Sequence, residues 1–328
     1  MSPSEHDRPT APRRASLPVV ALAVALAATA CGPGGATTAG DSGTSRELSI
    51  VVTTTILADV TGHVAGDTAQ VTTLMEAGAD PHSFEASAQA LALMQDADLI
   101  VANGAGLEEQ LQSPIAEAER TGVPVFHATD HIETLAFTGA DGHEDDGHDE
   151  GAVDPHFWMD PTRMAGVARA LGAQIGPLSN AAGAITAQAG DYAARLEEVD
   201  AEITRTLAPI PDEDRTLVTN HEAFNYFAER YDFTIVGTVI PGLSTGAEPS
   251  ARDLEELVHT IERQQVSAVF TENTAPGQLT RTLAAEVGRD VEIIELYSDS
   301  TGDEGSGATT YIEMLTANAE LISGALGG

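Results

Sequence analysis

The feature that most constrains this chain is an alternation of short β-branched runs and helical patterns. It occurs twice, with a long helical stretch between the two rounds. In the first round, strand-like runs cover 47–55 (ELSIVVTTT), 70–75, 99–102 and 123–126, and helical patterns cover 56–65, 86–96 and 108–120. In the second round, strands are expected over 216–219, 234–239, 268–271 and 291–296, with helices over 223–231, 250–264, 279–287 and 309–323. Short apolar strands alternating with helices predict parallel sheets with helices on their faces.

Between the rounds lie two helical patterns without a strand. The first, 161–175, opens with Pro161 in its first turn. The second, 180–207, is stopped by Pro209 and Pro211 and would span roughly 42 Å at 1.5 Å per residue. That exceeds one lobe and suits a spine between two. The expected fold class is therefore α/β, with two α/β lobes, 47–160 and 215–328, joined by a helical linker over 161–214. Open parallel sheets bind ligands beyond the carboxyl ends of their strands, which for two facing lobes is the cleft between them.

The N-terminus reads as an address label. Arg13 and Arg14 precede an apolar run over 17–30, broken only by Pro18 and Thr29, and small residues lead up to Cys31. A basic region, a short apolar core and small residues before a cut define a secretory signal peptide over 1–30. The run is too short for a span of roughly 20 residues. Cys31 directly after the small residues resembles the lipobox of bacterial lipoproteins. That resemblance implies that Cys31 becomes the first mature residue and carries lipid, anchoring the protein to the outer face of the cell membrane. Residues 32–46 (GPGGATTAGDSGTSR) then form a Gly/Ser/Thr-rich tether. The Arg pair alone does not separate general from twin-arginine export. Cys31 is the single cysteine, so neither an intramolecular disulfide nor a Cys-based zinc site is available.

Charge excludes some partners. The chain carries 15 cations, all Arg, against 51 carboxylates, a formal charge of −36. Nucleic-acid binding needs a basic face, and so does electrostatic adhesion to anionic lipid. An acidic surface instead attracts cations.

Four segments at expected strand ends hold a candidate metal ligand: His82 in Ala79-Asp80-Pro81-His82, His156 in Asp154-Pro155-His156-Phe157, His221 in Asn220-His221-Glu222, and Asp299 in Tyr297-Ser298-Asp299-Ser300. Three neutral imidazoles and one carboxylate suit a borderline divalent ion, zinc first, whereas oxygen-rich sites suit manganese. Four protein ligands close the shell, as in non-catalytic sites. Isolated histidines are usually surface or capping residues. His63 and His259 on helical patterns, and His127 and His131 after a strand, are read as structural.

The segments Asp80-Pro81-His82-Ser83-Phe84-Glu85, Asn103-Gly104-Ala105-Gly106-Leu107-Glu108, Asp154-Pro155-His156-Phe157-Trp158-Met159-Asp160-Pro161 and His221-Glu222-Ala223-Phe224-Asn225-Tyr226-Phe227 together resemble a known family. It is that of the zinc/manganese solute-binding lipoproteins of metal ABC transporters, the TroA-like or ZnuA-like cluster A-I group. The resemblance runs over 47–328. It implies two similar lobes with parallel sheets, joined by one long rigid linker helix, and a divalent metal captured between them for delivery to a membrane permease. His82 and His156 match the N-terminal-lobe ligands, His221 the third position, where zinc members have His, and Asp299 the fourth. Glu272 matches an acidic position and is a candidate partner of a ligand, or an alternate ligand. Asp80, Asp160 and Glu222 are further carboxylates available to orient a metal-bound imidazole.

Residues 139–152 (GADGHEDDGHDEGA) lack apolar periodicity and read as an acidic loop. Its His143 and His148 resemble a short form of the His-rich loop of zinc members. An accessory loop of this kind would hold zinc more weakly than a preformed site, because binding must order it.

The reading is thus a non-enzymatic receptor for Zn²⁺ as transported ligand, expected to act as a monomer with an ABC permease and, as a further partner, an extracytoplasmic metallochaperone. Mn²⁺ or iron uptake is the alternative within the family; His221 argues for zinc, which three imidazoles favour over manganese. A zinc hydrolase is a third reading, opposed by Asp299 in the fourth position and by the lack of HExxH or GxSxG patterns. An adhesin role, a cell-adhesion label some homologues carry, has no supporting residues. Binding requires neutral imidazoles, so affinity should fall toward their unperturbed pKa of about 6.5.

Overall fold

Four parallel strands carry the N-terminal half, in the order β2-β1-β3-β4. They are β1 (Leu48–Val52), β2 (Ala69–Thr73), β3 (Leu99–Ala102) and β4 (Val125–His127), with helices α1 (Thr55–Ala65), α2 (Ala88–Asp96) and α3 (Gln112–Thr121) between them. β3 is buried along its whole length, as is the C-terminal end of β1, because both lie between other strands with helices on the faces. The computed structural model describes residues 47–137, 153–275 and 277–327. The signal peptide, Cys31, the tether and the loop bearing His143 and His148 lie outside the described residues.

Two helices follow, α4 (Pro161–Ile175) and α5 (Ala182–Leu207). α4 starts where expected because Pro161 sits in its first turn and the Asp160 carboxylate accepts from the Thr162 and Arg163 amides. α5 has 26 residues, about 39 Å. It begins two residues later than the pattern predicted. Its buried residues Ile185, Ala189, Tyr192, Leu196, Val199, Ile203 and Leu207 recur at helical spacing and form one stripe. α4 packs against that stripe so closely that a Cβ at Gly172 would meet the Ala189 methyl at 2.5 Å.

The C-terminal half repeats the first arrangement. Its strands are β5 (Thr216–Thr219), β6 (Thr234–Thr238), β7 (Ala268–Glu272) and β8 (Glu292–Leu296); its helices are α6 (Asn225–Tyr231), α7 (Ala251–Gln264), α8 (Gln278–Glu286) and α9 (Tyr311–Leu326). Among the described residues the strands form two parallel pairs, β5–β6 and β7–β8, with β5 lying against β7. The spatial order β6-β5-β7-β8 thus mirrors β2-β1-β3-β4. In each half the chain reverses direction across the sheet between its first and third strands, the point where open α/β sheets hold ligands. Ser250 caps α7 in a reciprocal box with Asp253, the start that its sequence predicted.

The largest hydrophobic cluster runs without a break from β1 and α1 through α4 and α5 to α6 and α9. α9 packs on α5, so the last helix returns to the spine. None of the described helices is long and apolar enough to cross a membrane.

Candidate metal centre

Each half delivers two side chains to the space between the sheets. His82 sits in the loop after β2, and His156 in the segment that leads into α4. His221 lies two residues past β5 and Asp299 three past β8. One ligand atom from each of the four falls within 4.8 Å of the others. The Nε2 atom of His156 is 3.4 Å from Nε2 of His82 and 3.2 Å from Nε2 of His221. An ion held tetrahedrally at about 2.05 Å sets neighbouring donors roughly 3.3 Å apart. The Asp299 oxygens lie 3.8 Å from His156 Nε2 and 3.6 Å from His221 Nε2. Neither oxygen has a hydrogen-bond partner among the described residues, although the side chain is buried. A buried carboxylate without a partner is costly, so this donor set fits a cation.

Two imidazoles are braced from behind. The Asp154 carboxylate accepts from the His156 amide at 2.9 Å and lies 2.8 Å from its Nδ1. The Glu272 carboxylate accepts from the His221 amide at 3.1 Å and lies 2.7 Å from its Nδ1. In both cases the carboxylate fixes the ring and leaves Nε2 free to face the centre. Glu272 is the last residue of β7, one further than the sequence placed it in the strand, and it acts from behind His221 rather than among the four converging groups.

Asp154 escaped sequence reasoning, which considered Asp80, Asp160 and Glu222 for this role. The available signal was its position two residues before His156. Asp80 instead accepts from the His82 amide, Ser83 and Thr245, and Asp160 caps α4 and pairs with Arg163. The Glu222 carboxylate is raised, chiefly by burial. Asp154 also ties the halves together: its second oxygen accepts from Asn225 at 3.0 Å and its carbonyl from the Tyr226 hydroxyl at 2.8 Å. Trp158 donates to the Ser298 carbonyl at 2.7 Å, a further bond between the halves.

Burial and the two neighbouring imidazoles push the His82 pKa down to about 2. His221 feels burial in the same direction, but Glu272 and Asp299 outweigh it and carry the group up to about 9. Burial raises the Asp299 carboxyl to about 6 against the pull of His221 and His156.

The other described histidines stay outside the centre. His63 stacks on Tyr192, His131 stacks on Phe126, His127 lies 3.4 Å from Glu119, and His259 lies 3.7 Å from Glu262.

Two facing α/β halves, a helical spine and a buried polar centre between the halves define a two-lobed solute-binding protein. The chain belongs to the family described as zinc-uptake complex component A, periplasmic, whose profile matches residues 50–325. It is 31% identical over 310 residues to the manganese-binding lipoprotein MntA of Halalkalibacterium halodurans, covering 93% of this chain and 96% of that one. It is also 31% identical over 284 residues to the zinc-binding protein TroA of Treponema pallidum, covering 84% and 88% of the two chains. The solved structure of periplasmic TroA from the same organism superposes with a TM-score of 0.77 at 30% identity, over 85% of this chain and 99% of that one.

Proposed function

We propose that this chain captures one Zn²⁺ between its lobes through His82, His156, His221 and Asp299 and delivers it to the permease of an ABC importer. The observation that carries the reading is the convergence of three imidazole Nε2 atoms, at 3.2 and 3.4 Å, on a buried carboxylate without a partner. Three nitrogens and one carboxylate match zinc in a closed, non-catalytic shell, so binding rather than hydrolysis follows. Two donors come from each half, so binding energy is also closure energy, which a permease can read. Lipid on Cys31 would hold the protein at the membrane face where that permease lies, in keeping with relatives named as lipoproteins. The lobe boundaries at 160 and 215 belong to the same reading, with 161–214 as the linker.

Manganese is the second reading, and one observation favours it. Asp299 turns one oxygen toward His156 and the other toward His221, so the carboxylate is placed to give two donors and a fifth bond. Higher coordination and more oxygen suit manganese. Competitive titration of apo residues 32–328 with both metals, followed by native mass spectrometry, decides between them. One tightly held zinc that excess manganese does not displace supports the first reading. Displacement by manganese transfers the assignment to the second, and failure to hold either metal removes both.

A further inference from the structure

A cavity of about 370 Å³ opens beside the centre, lined by Ala105, Gly106 and Glu109 from the N-terminal half, by Leu243 and Ser244 from the C-terminal half, and by His82. We propose that the captured ion reaches and leaves the four-donor centre through this cavity. Glu109 is the carboxylate that takes it up first and passes it inward as the His82 ring turns aside. The proposal rests on the reading of those four residues as the metal site.

Burial singles out the side of approach. His156, His221 and Asp299 are 0%, 0% and 2% exposed and do not line the cavity, whereas His82 does. The His82 ring is the partition. Its Nε2 faces His156 inside, and its Nδ1 lies 3.6 Å from a Glu109 oxygen on the cavity side. His82 is also the imidazole held least. His156 and His221 each have a buried carboxylate within 2.8 Å of Nδ1, but the Glu109 side chain is 41% exposed and stands further off. Turning the His82 ring therefore breaks no buried carboxylate bond, while turning either of the others breaks one.

The lining is built to stay open. Gly104, Ala105 and Gly106 follow one another at φ of +87°, +49° and +82°, a left-handed turn that the two glycines adopt freely and Ala105 at a cost of about 1–2 kcal/mol. It presents two hydrogens and a methyl where larger side chains would fill the space. A divalent ion sheds its water stepwise, and a half-exposed carboxylate replaces water without the cost of full burial. Its charge also concentrates cations at the mouth of the cavity.

Stopped-flow kinetics of the full mature chain with zinc test this. Trp158 is the only tryptophan, and its ring lies 5.2 Å from that of His156, so its fluorescence reports occupancy. Uptake is read on mixing with zinc, and release on mixing the loaded protein with excess chelator. Glu109→Gln keeps size and exposure, and Ser244→Phe fills the cavity from the C-terminal half; thermal melting checks that both fold. A shared route makes both rates fall together, by about tenfold in E109Q, with equilibrium affinity nearly unchanged, and S244F slows both as well. Faster release with unchanged uptake in E109Q would make Glu109 a mere brace of His82 and overturn the proposal. So would unchanged rates in both variants. Absence of zinc from the wild-type chain at equilibrium would instead remove the metal site itself, a result that the variants do not influence.

Discussion

The two lobes hand the centre unlike halves. The N-terminal lobe offers His82, which burial and two neighbouring imidazoles keep free of a proton down to about pH 2. The C-terminal lobe offers His221, which Glu272 and Asp299 keep protonated up to about pH 9 against the effect of burial. Asp299 itself takes up a proton near pH 6. The difference lies in the placement of carboxylates: β7 ends in Glu272 directly behind the His221 ring, whereas the carboxylate facing Nδ1 of the His82 ring, that of Glu109, is 41% exposed and stands 3.6 Å off. His82 is thus ready for a cation at any physiological pH, whereas His221 already holds a proton that a bound cation would have to displace.

The largest effect should come from removing the proton-holding imidazole. His221→Ala deletes a proposed ligand, so its loss of zinc affinity should exceed the roughly 100-fold upper end seen for outer-shell changes. Calorimetric titration against wild type measures it, and a loss of less than tenfold would place the ion elsewhere.

Next comes pH. Metal requires neutral His221, and below about pH 9 the empty protein keeps that group charged. Each ion bound then releases one proton, so apparent affinity should rise about tenfold per pH unit from near neutrality and level off above pH 9. Below about pH 6 Asp299 also binds a proton, so the loss of affinity should steepen there. Glu272→Gln removes the charge that raises His221, and the plateau should move to lower pH. A profile that levels near 6.5, as unperturbed imidazoles predict, would erase the contrast between the lobes.

Asp154→Asn tests the other lobe. It keeps the shape behind His156 but alters the acceptor on Nδ1, so affinity should fall by about tenfold while the position of the pH plateau stays fixed. A shifted plateau would mean that the proton is shared across both lobes. The smallest effect is expected from deleting 140–151, the segment with His143 and His148. Tight binding should survive, because a preformed site outweighs one that must be ordered. A loss comparable to that of His221→Ala would put those residues into the centre.

The sequence was most legible where burial writes a simple pattern. Short apolar runs gave away every strand to within about three residues, most cleanly β3, β5 and β7, which are buried between their neighbours. Pro161 fixed the start of α4, and Ser250 that of α7. The start of α3 was less readable. Its pattern opens at residue 108, but the left-handed turn at 104–106 and a 3-10 turn (Glu109–Leu111) come first, so the helix begins at Gln112. α9 continues to Leu326, three residues beyond its expected end, because Ile322 and Leu326 extend its buried face. Of the four converging residues, His82, His221 and Asp299 could be picked out because each follows a strand, while His156 stood out by its Asp-Pro-His segment just before α4. Of their supporting carboxylates only Glu272 was marked in advance, through the family resemblance, and not with its partner, because partnership depends on where a ring turns. Asp154 folds back on His156 from two positions away, Glu272 reaches His221 across 51, and Glu109 nears His82 through the packing of a different loop. The elevated pKa of His221 follows from that same packing and leaves no trace in local sequence.

If the proposed site is right, one ion sits where the two lobes converge. Diffraction from crystals of zinc-loaded protein, measured on either side of the zinc absorption edge, tests it most directly. A single anomalous peak is expected about 2.0–2.1 Å from the Nε2 atoms of His82, His156 and His221, with an Asp299 oxygen completing the shell. A peak elsewhere, or none at this point in protein shown to carry zinc, would contradict it.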